Sequence, residues 1–227
     1  MDKTWIALLL IGLLVGGCNS SESSETKIET VQDQTDSAPK LSGMIPVNLE
    51  KSTLYWKGHK LLGYHTGRVS LKEADVTFDQ GQLTAGRFVI DMTSVEVTEL
   101  LDDGDEEEDE DENEEPEDDR VDLANHLMDG DFFDAQAFPT ATFVINKTLE
   151  QGQDMTVIGD LTLKGVTREI SFKATLVGQE LSSKISVNRT DFGIKYGSGT
   201  FFDNLGDNAI KDEFDLLVTL VLEEKAS

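Results

Sequence analysis

The chain has 227 residues with 19 basic and 45 acidic side chains, a net charge of −26, and one cysteine. That balance argues against nucleic acid as a partner, because phosphate binding needs clustered Lys and Arg. A lone thiol excludes an internal disulfide, so a stable core must come from burial, for which a body of about 180 residues is long enough.

Taken in chain order, the first element is a leader. Lys3 gives a positive start, Trp5 to Val15 is an apolar run of eleven residues, and Gly16 and Gly17 follow. The run suits the hydrophobic region of an export signal and is too short for a bilayer, which needs about 20 residues. Val15-Gly16-Gly17-Cys18 resembles a bacterial lipobox, which implies cleavage after residue 17 and lipidation of Cys18. The expectation is an exported protein, lipid-anchored through Cys18 to a bacterial membrane, the outer membrane above all, on its periplasmic or surface face. Residues 18–43 carry almost no large apolar side chain and are expected to form a flexible tether.

From 44 to 227 the pattern is mostly that of strands. Ala74, Val76 and Phe78 alternate with polar residues up to the Asp79-Gln80-Gly81-Gln82 turn. On the return, Thr84, Gly86, Phe88 and Ile90 share a phase opposite to Leu83, Ala85, Arg87 and Val89, predicting a hairpin. Residues 102–119, "DDGDEEEDEDENEEPEDD", hold fifteen acids and no base, more than half of the net charge. Such a run is expected to be a disordered, solvated insert, and it lacks the spaced ligands of a calcium loop. Val121, Ala124, Leu127 and Met128 have helical spacing, predicting a short helix near 121–128, and Pro139 precedes a strand from Thr140. A second hairpin turns at Lys164-Gly165, with Ile170, Phe172, Ala174 and Leu176 in one phase. The last strand places Phe214, Leu216, Val218, Leu220 and Leu222 on one face.

About eight antiparallel strands with one helical excursion predict an all-β protein. Closure into a barrel removes the exposed edges, and a β-sandwich is the alternative. The histidines His59, His65 and His126 lack the spacing of a zinc set, so no metal site is expected. No nucleophile elbow, phosphate loop or dinucleotide fingerprint is present, and the expectation is a binding protein with no catalytic residue and no cofactor beyond a bound lipid.

Several blocks in order, "LYWKGHK", "GRFVIDMTSVEVTEL", "ANHLMDGDFFDAQAFPTATF", "GDLTLKGVTREI", "NRTDFGIKYGSGTFFDNLGD" and "IKDEFDLLVTLVLE", resemble the YceI-like family of bacterial polyisoprenoid-binding proteins. The resemblance runs from about Leu54 to Leu222. It departs at the acidic insert, where the family has a short polar loop. It implies an extended, lipocalin-like antiparallel barrel that holds an isoprenoid lipid, such as a polyprenyl quinone or phosphate, for transport, storage or sequestration. An apolar tunnel suffices for such a ligand, since each five-carbon unit offers about 4 kcal/mol at roughly 0.8 kcal/mol per buried CH₂. Candidate wall residues are Trp56, Phe78, Phe88, Ile90, Phe143, Leu161, Leu163, Phe172 and Phe192, with Leu127, Phe132 and Phe133 as a lid. Candidate head-group contacts are His59, Arg68, Arg189 and Lys195. The competing reading is a structural or stress-related surface lipoprotein with a filled core and no ligand. A homodimer is left open.

Overall fold

The computed structural model describes residues 41–101, 116–151, 154–206 and 209–223. The leader, Cys18, nearly all of the tether and residues 102–115 of the acidic insert lie outside the described residues.

The strands are β1 (Gly43–Lys60), β2 (Tyr64–Asp79), β3 (Gln82–Leu101), β4 (Thr140–Gln151), β5 (Asp154–Leu163), β6 (Val166–Val177), β7 (Glu180–Asn188) and β8 (Ile210–Leu222). They form one closed antiparallel barrel in chain order. β8 returns to β1 from Val47↔Leu222 to Lys60↔Ile210, so one sheet closes on itself and the sandwich alternative is excluded. Two turns foreseen in the sequence make tight hairpins. Gln80-Gly81 has φ of 50° and 87°, and Lys164-Gly165 has φ of 49° and 73°. Two successive left-handed residues match the twist of the flanking strands, and glycine at the second position adopts that conformation without a Cβ penalty.

The phase expected for the first hairpin is corrected at one place. Thr77 pairs with Ala85 but Phe78 pairs with Leu83, so Thr84 is an extra, bulged residue. The bulge resets the alternation. Leu83 therefore points inward and is fully buried, while Thr84 and Ala85 are both exposed. Burying that leucine contributes about 1.5–3 kcal/mol, which outweighs the broken pairing.

The meander gives the barrel two unlike ends. At one end, Ile45, Val76, Phe78, Leu83, Met155 and Leu222 pack with almost no exposure and close it. The other end carries the long connections. Helix α1 (Pro116–Met128) follows β3, beginning five residues before the predicted start and taking in the last residues of the acidic run. Proline suits a first helical position because the N–H it lacks has no intrahelical partner there. The loop after α1 is tied to the β5–β6 turn by Lys164, whose ammonium donates to the Gly130 and Phe132 carbonyl oxygens at 2.8 and 2.7 Å. A 3-10 turn, η1 (Arg189–Phe192), ends β7 and starts the loop back to β8.

Candidate functional site

Inward alternation on all eight strands gives the middle of the barrel a carbon lining, and the packing leaves two cavities there. The lower one is about 90 Å³ and is lined by side chains that include Phe88, Phe143, Val157, Ile170, Phe172 and Ala174. The upper one is about 120 Å³, bounded by Trp56, Met92, Leu127, Phe132, Phe133 and Leu163 among others. Leu54, Ile90, Leu161 and Leu216 line both, so the two abut along the barrel axis.

Glycines on the wall explain why large rings fit beside open space. Phe88 and Phe143 are cross-strand partners with ring centroids 6.2 Å apart. Phe143 also reaches Phe172, at 5.4 Å, although β5 runs between their strands. It can do so because β5 presents Gly159 at that point; a Cβ there would stand 2.6 Å from the Phe143 ring. Trp56 likewise lies on Gly67 of β2, where a Cβ would stand 2.4 Å from the indole and 1.9 Å from the Glu96 carbonyl oxygen. Gly67→Ala is expected to destabilise the protein by about 1–3 kcal/mol through overpacking and to shift Trp56 fluorescence. A denaturant titration with unchanged midpoint and emission would show that the indole does not rest there.

Ten of the twelve expected wall and lid residues border these cavities. Phe88, Phe143 and Phe172 line the lower one, Trp56, Leu127, Phe132, Phe133 and Leu163 the upper, and Ile90 and Leu161 both. Two placements are corrected. Phe78 lies in the packed closed end and Phe192 on η1, where the inward alternation of β7 has stopped; each is 2% exposed and borders neither cavity. Leu216, Val218 and Leu220 were not among the candidates but line the lower cavity. Their signal was the uniform apolar face of the last strand.

Of the head-group candidates, Arg189 borders the upper cavity, and the other three stand outside both cavities. His59 follows inward-facing Gly58, so its ring is on the outer face, 3.5 Å from the Asp215 carboxylate, which Lys184 also meets at 3.0 Å. Burial raises the Asp215 carboxyl, but these two partners outweigh it and hold it below its ordinary pKa. Arg68 pairs with Glu96 on the surface at 3.0 Å. Lys195 is exposed and sits over the Phe201 ring.

Arg189 is 2% exposed and committed to the main chain. Its guanidinium donates to the carbonyl oxygens of Lys211, Ile194, Tyr196 and Ile210 at 2.7–3.1 Å. It faces Asp212 at 3.7 Å and lies against the Phe132 ring. Burial lowers its pKa, with Asp212 opposing. Burial raises the Asp212 carboxyl in turn, yet hydrogen bonds from Ser198 and Thr200 and the Arg189 charge leave it below its ordinary value. This network clamps the β7–β8 loop onto the start of β8 and commits four of the five guanidinium N–H donors to the main chain. His126, whose ring is 4.5 Å from Tyr196 and 6.4 Å from Phe132, packs the helix against the same loop.

A closed eight-stranded antiparallel barrel with one packed end, one capped end and carbon-lined cavities between defines an extended, lipocalin-like barrel. The chain belongs to the YceI-like domain family, which residues 46–222 match. It is 34% identical over 122 residues to a UPF0312 protein of Vibrio vulnificus (strain YJ016), covering 52% of this chain and 53% of that one. It is 41% identical over 54 residues to protein YceI of Escherichia coli (strain UMN026), covering 24% and 28%. The chain thus spans about half the length of the Vibrio relative, and less of the other. Among solved structures, it resembles Burkholderia cenocepacia BcnA with a TM-score of 0.56 at 23% identity, covering 77% of this chain and 98% of that one. A polyisoprenoid-binding domain from Saccharophagus degradans gives 0.51 at 17% identity, covering 82% and 100%. Both likenesses are of fold.

Proposed function

We propose that this protein is a membrane-anchored carrier or store for an isoprenoid-type lipid, held by its tail inside the barrel, and that it catalyses no reaction. The observation that carries this reading is the pair of abutting carbon-lined cavities. A dry cavity of roughly 150 Å³ lined by Leu, Ile and Phe takes up benzene, so spaces of about 90 and 120 Å³ suit the first units of a branched hydrocarbon chain. At about 4 kcal/mol per five-carbon unit, four buried units, about 16 kcal/mol, exceed an association cost of the order of 4–15 kcal/mol. The anchor would be an acylated Cys18 and the compartment the envelope of a bacterium, with two or more acyl chains giving stable attachment. The solved polyisoprenoid-binding domain with the same fold supports the choice of ligand class.

The test is organic extraction of the full-length protein purified from its own membranes, followed by mass spectrometry. A stoichiometric polyprenyl species is expected. A clean extract from folded protein, which also fails to take up added polyprenyl lipid, would favour a structural lipoprotein.

A further inference from the structure

The barrel wall is not equally closed all round. β5 and β6 pair continuously from Asp154↔Thr175 to Leu163↔Val166. The ladder between β6 and β7 covers only Ala174–Val177 and Glu180–Ser183. Above it, β7 stays with β8 as far as Asn188, while β6 from Val166 to Lys173 runs beside β7 without pairing. The Ser183 hydroxyl, donating to the Lys173 carbonyl oxygen at 2.6 Å, ends the paired stretch. The result is a slot in the upper half of the wall between two strand edges.

The slot opens on the lower cavity. Ile170 and Phe172 on one side, and Ser183 and Ile185 on the other, line that cavity and are half-buried, as are Leu71, Ile90, Leu216 and Val218 on its other walls.

One more residue belongs to this edge. Arg168 is the cross-strand partner of Leu161, and directly opposed residues of an antiparallel pair project from the same face. Leu161 lines both cavities, so Arg168 is on the inner face of the wall, two residues above Ile170. It is nevertheless exposed, on the stretch of β6 that does not pair with β7. Among the described residues its guanidinium makes one hydrogen bond, to the neighbouring Thr167 carbonyl oxygen at 3.2 Å. His59, Arg68 and Lys195 are on the outer surface, and Arg189 is 2% exposed with four of its five N–H donors held by the main chain. Arg168 combines the inner face, solvent access and uncommitted donors.

We propose that the β6–β7 slot seats the head group of the bound lipid and that Arg168 grips it, which makes the ligand class an isoprenoid phosphate or diphosphate ester rather than a neutral isoprenoid. This rests on the lipid-binding reading. A planar five-donor fork matches a phosphate in two parallel hydrogen bonds. The apolar edges formed by Ile170, Phe172 and Ile185 lead the tail directly from that head group into the cavity. Entry through a side slot leaves the capped end in place, so the Arg189 clamp need not open.

The experiment compares farnesyl phosphate with farnesol as probes, on the full chain, by calorimetry or tryptophan quenching. The wild type is expected to bind the phosphate about tenfold or more tightly than the alcohol, as a charge-assisted contact implies. Arg168→Gln should abolish that preference, leave farnesol binding within about twofold and leave thermal stability unchanged; Arg168→Lys should restore part of it. The preference should also shrink with added salt. A wild type without preference, or an R168Q variant that keeps it, overturns the head-group assignment while the tail cavity stands. Failure of both probes to bind the wild type overturns the lipid-binding reading as well.

Discussion

Replacing Arg189 by Met is expected to lower stability by about 3–5 kcal/mol, the cost of breaking a buried charged network. For a domain of this size that corresponds to a melting temperature roughly 10 °C lower. The side chain it removes is 2% exposed and holds four carbonyl oxygens, those of Ile194, Tyr196, Ile210 and Lys211. Methionine fills a similar volume but has no donor, so each carbonyl must rehydrate or stay unpaired. Rehydration means that residues 194–206 lift from β8, and limited proteolysis should cut first there. Lysine is not expected to rescue, because an ammonium is a point donor and cannot span four acceptors arranged round a plane. Asp212→Asn should cost less, since it keeps the hydrogen-bonding shape while removing one charge. An R189K variant as stable as the wild type would refute the clamp. An R189M variant that folds normally but loses only ligand affinity would return Arg189 to the head-group role it has in the sequence reading.

That exchange of roles marks where sequence reasoning stops. The strands and both hairpin turns follow from period-two alternation and Gln80-Gly81 and Lys164-Gly165, because those signals are local, whereas closure into a barrel rests on the burial of strand edges and on the family resemblance. Seven of the expected cavity residues, those on strands, were legible for the same reason: alternation says which face a residue occupies. It does not say at what height along the barrel it sits, and so Phe78, in phase with the wall, falls in the packed end. Nor does it report a bulge, which is a property of two strands together; Thr84 gives no sign of itself without Phe78 and Leu83 in register. The charged residues were the least legible. Arg189 and Arg168 look alike in sequence, twenty-one residues apart, each at a strand end. Only the fold shows that one is enclosed by the main chain of β8 and its preceding loop, while the other stands where β6 has parted from β7.

Filling the cavities should abolish lipid uptake without unfolding the protein. Ala174 and Ala141 line the lower and upper cavity and are 3% and 4% exposed. In an Ala141→Leu/Ala174→Leu double variant, each leucine adds three carbons to spaces of about 90 and 120 Å³. Those carbons gain up to about 2.4 kcal/mol each side chain from burial, set against roughly 1–3 kcal/mol of packing strain, so stability should stay near that of the wild type. The space lost is of the order of one five-carbon unit per cavity, about 4 kcal/mol of tail burial, and farnesol affinity should fall by 100-fold or more. The direction of the volume change gives the experiment its force. Phe143→Ala would also weaken binding, but through a core loss of about 3–5 kcal/mol, which confounds a missing wall with a loosened fold. Leucine at both alanines adds apolar surface, so no general loss of hydrophobicity explains a defect. A filled, stable variant that still takes up farnesol with wild-type affinity would show that the tail binds outside the barrel.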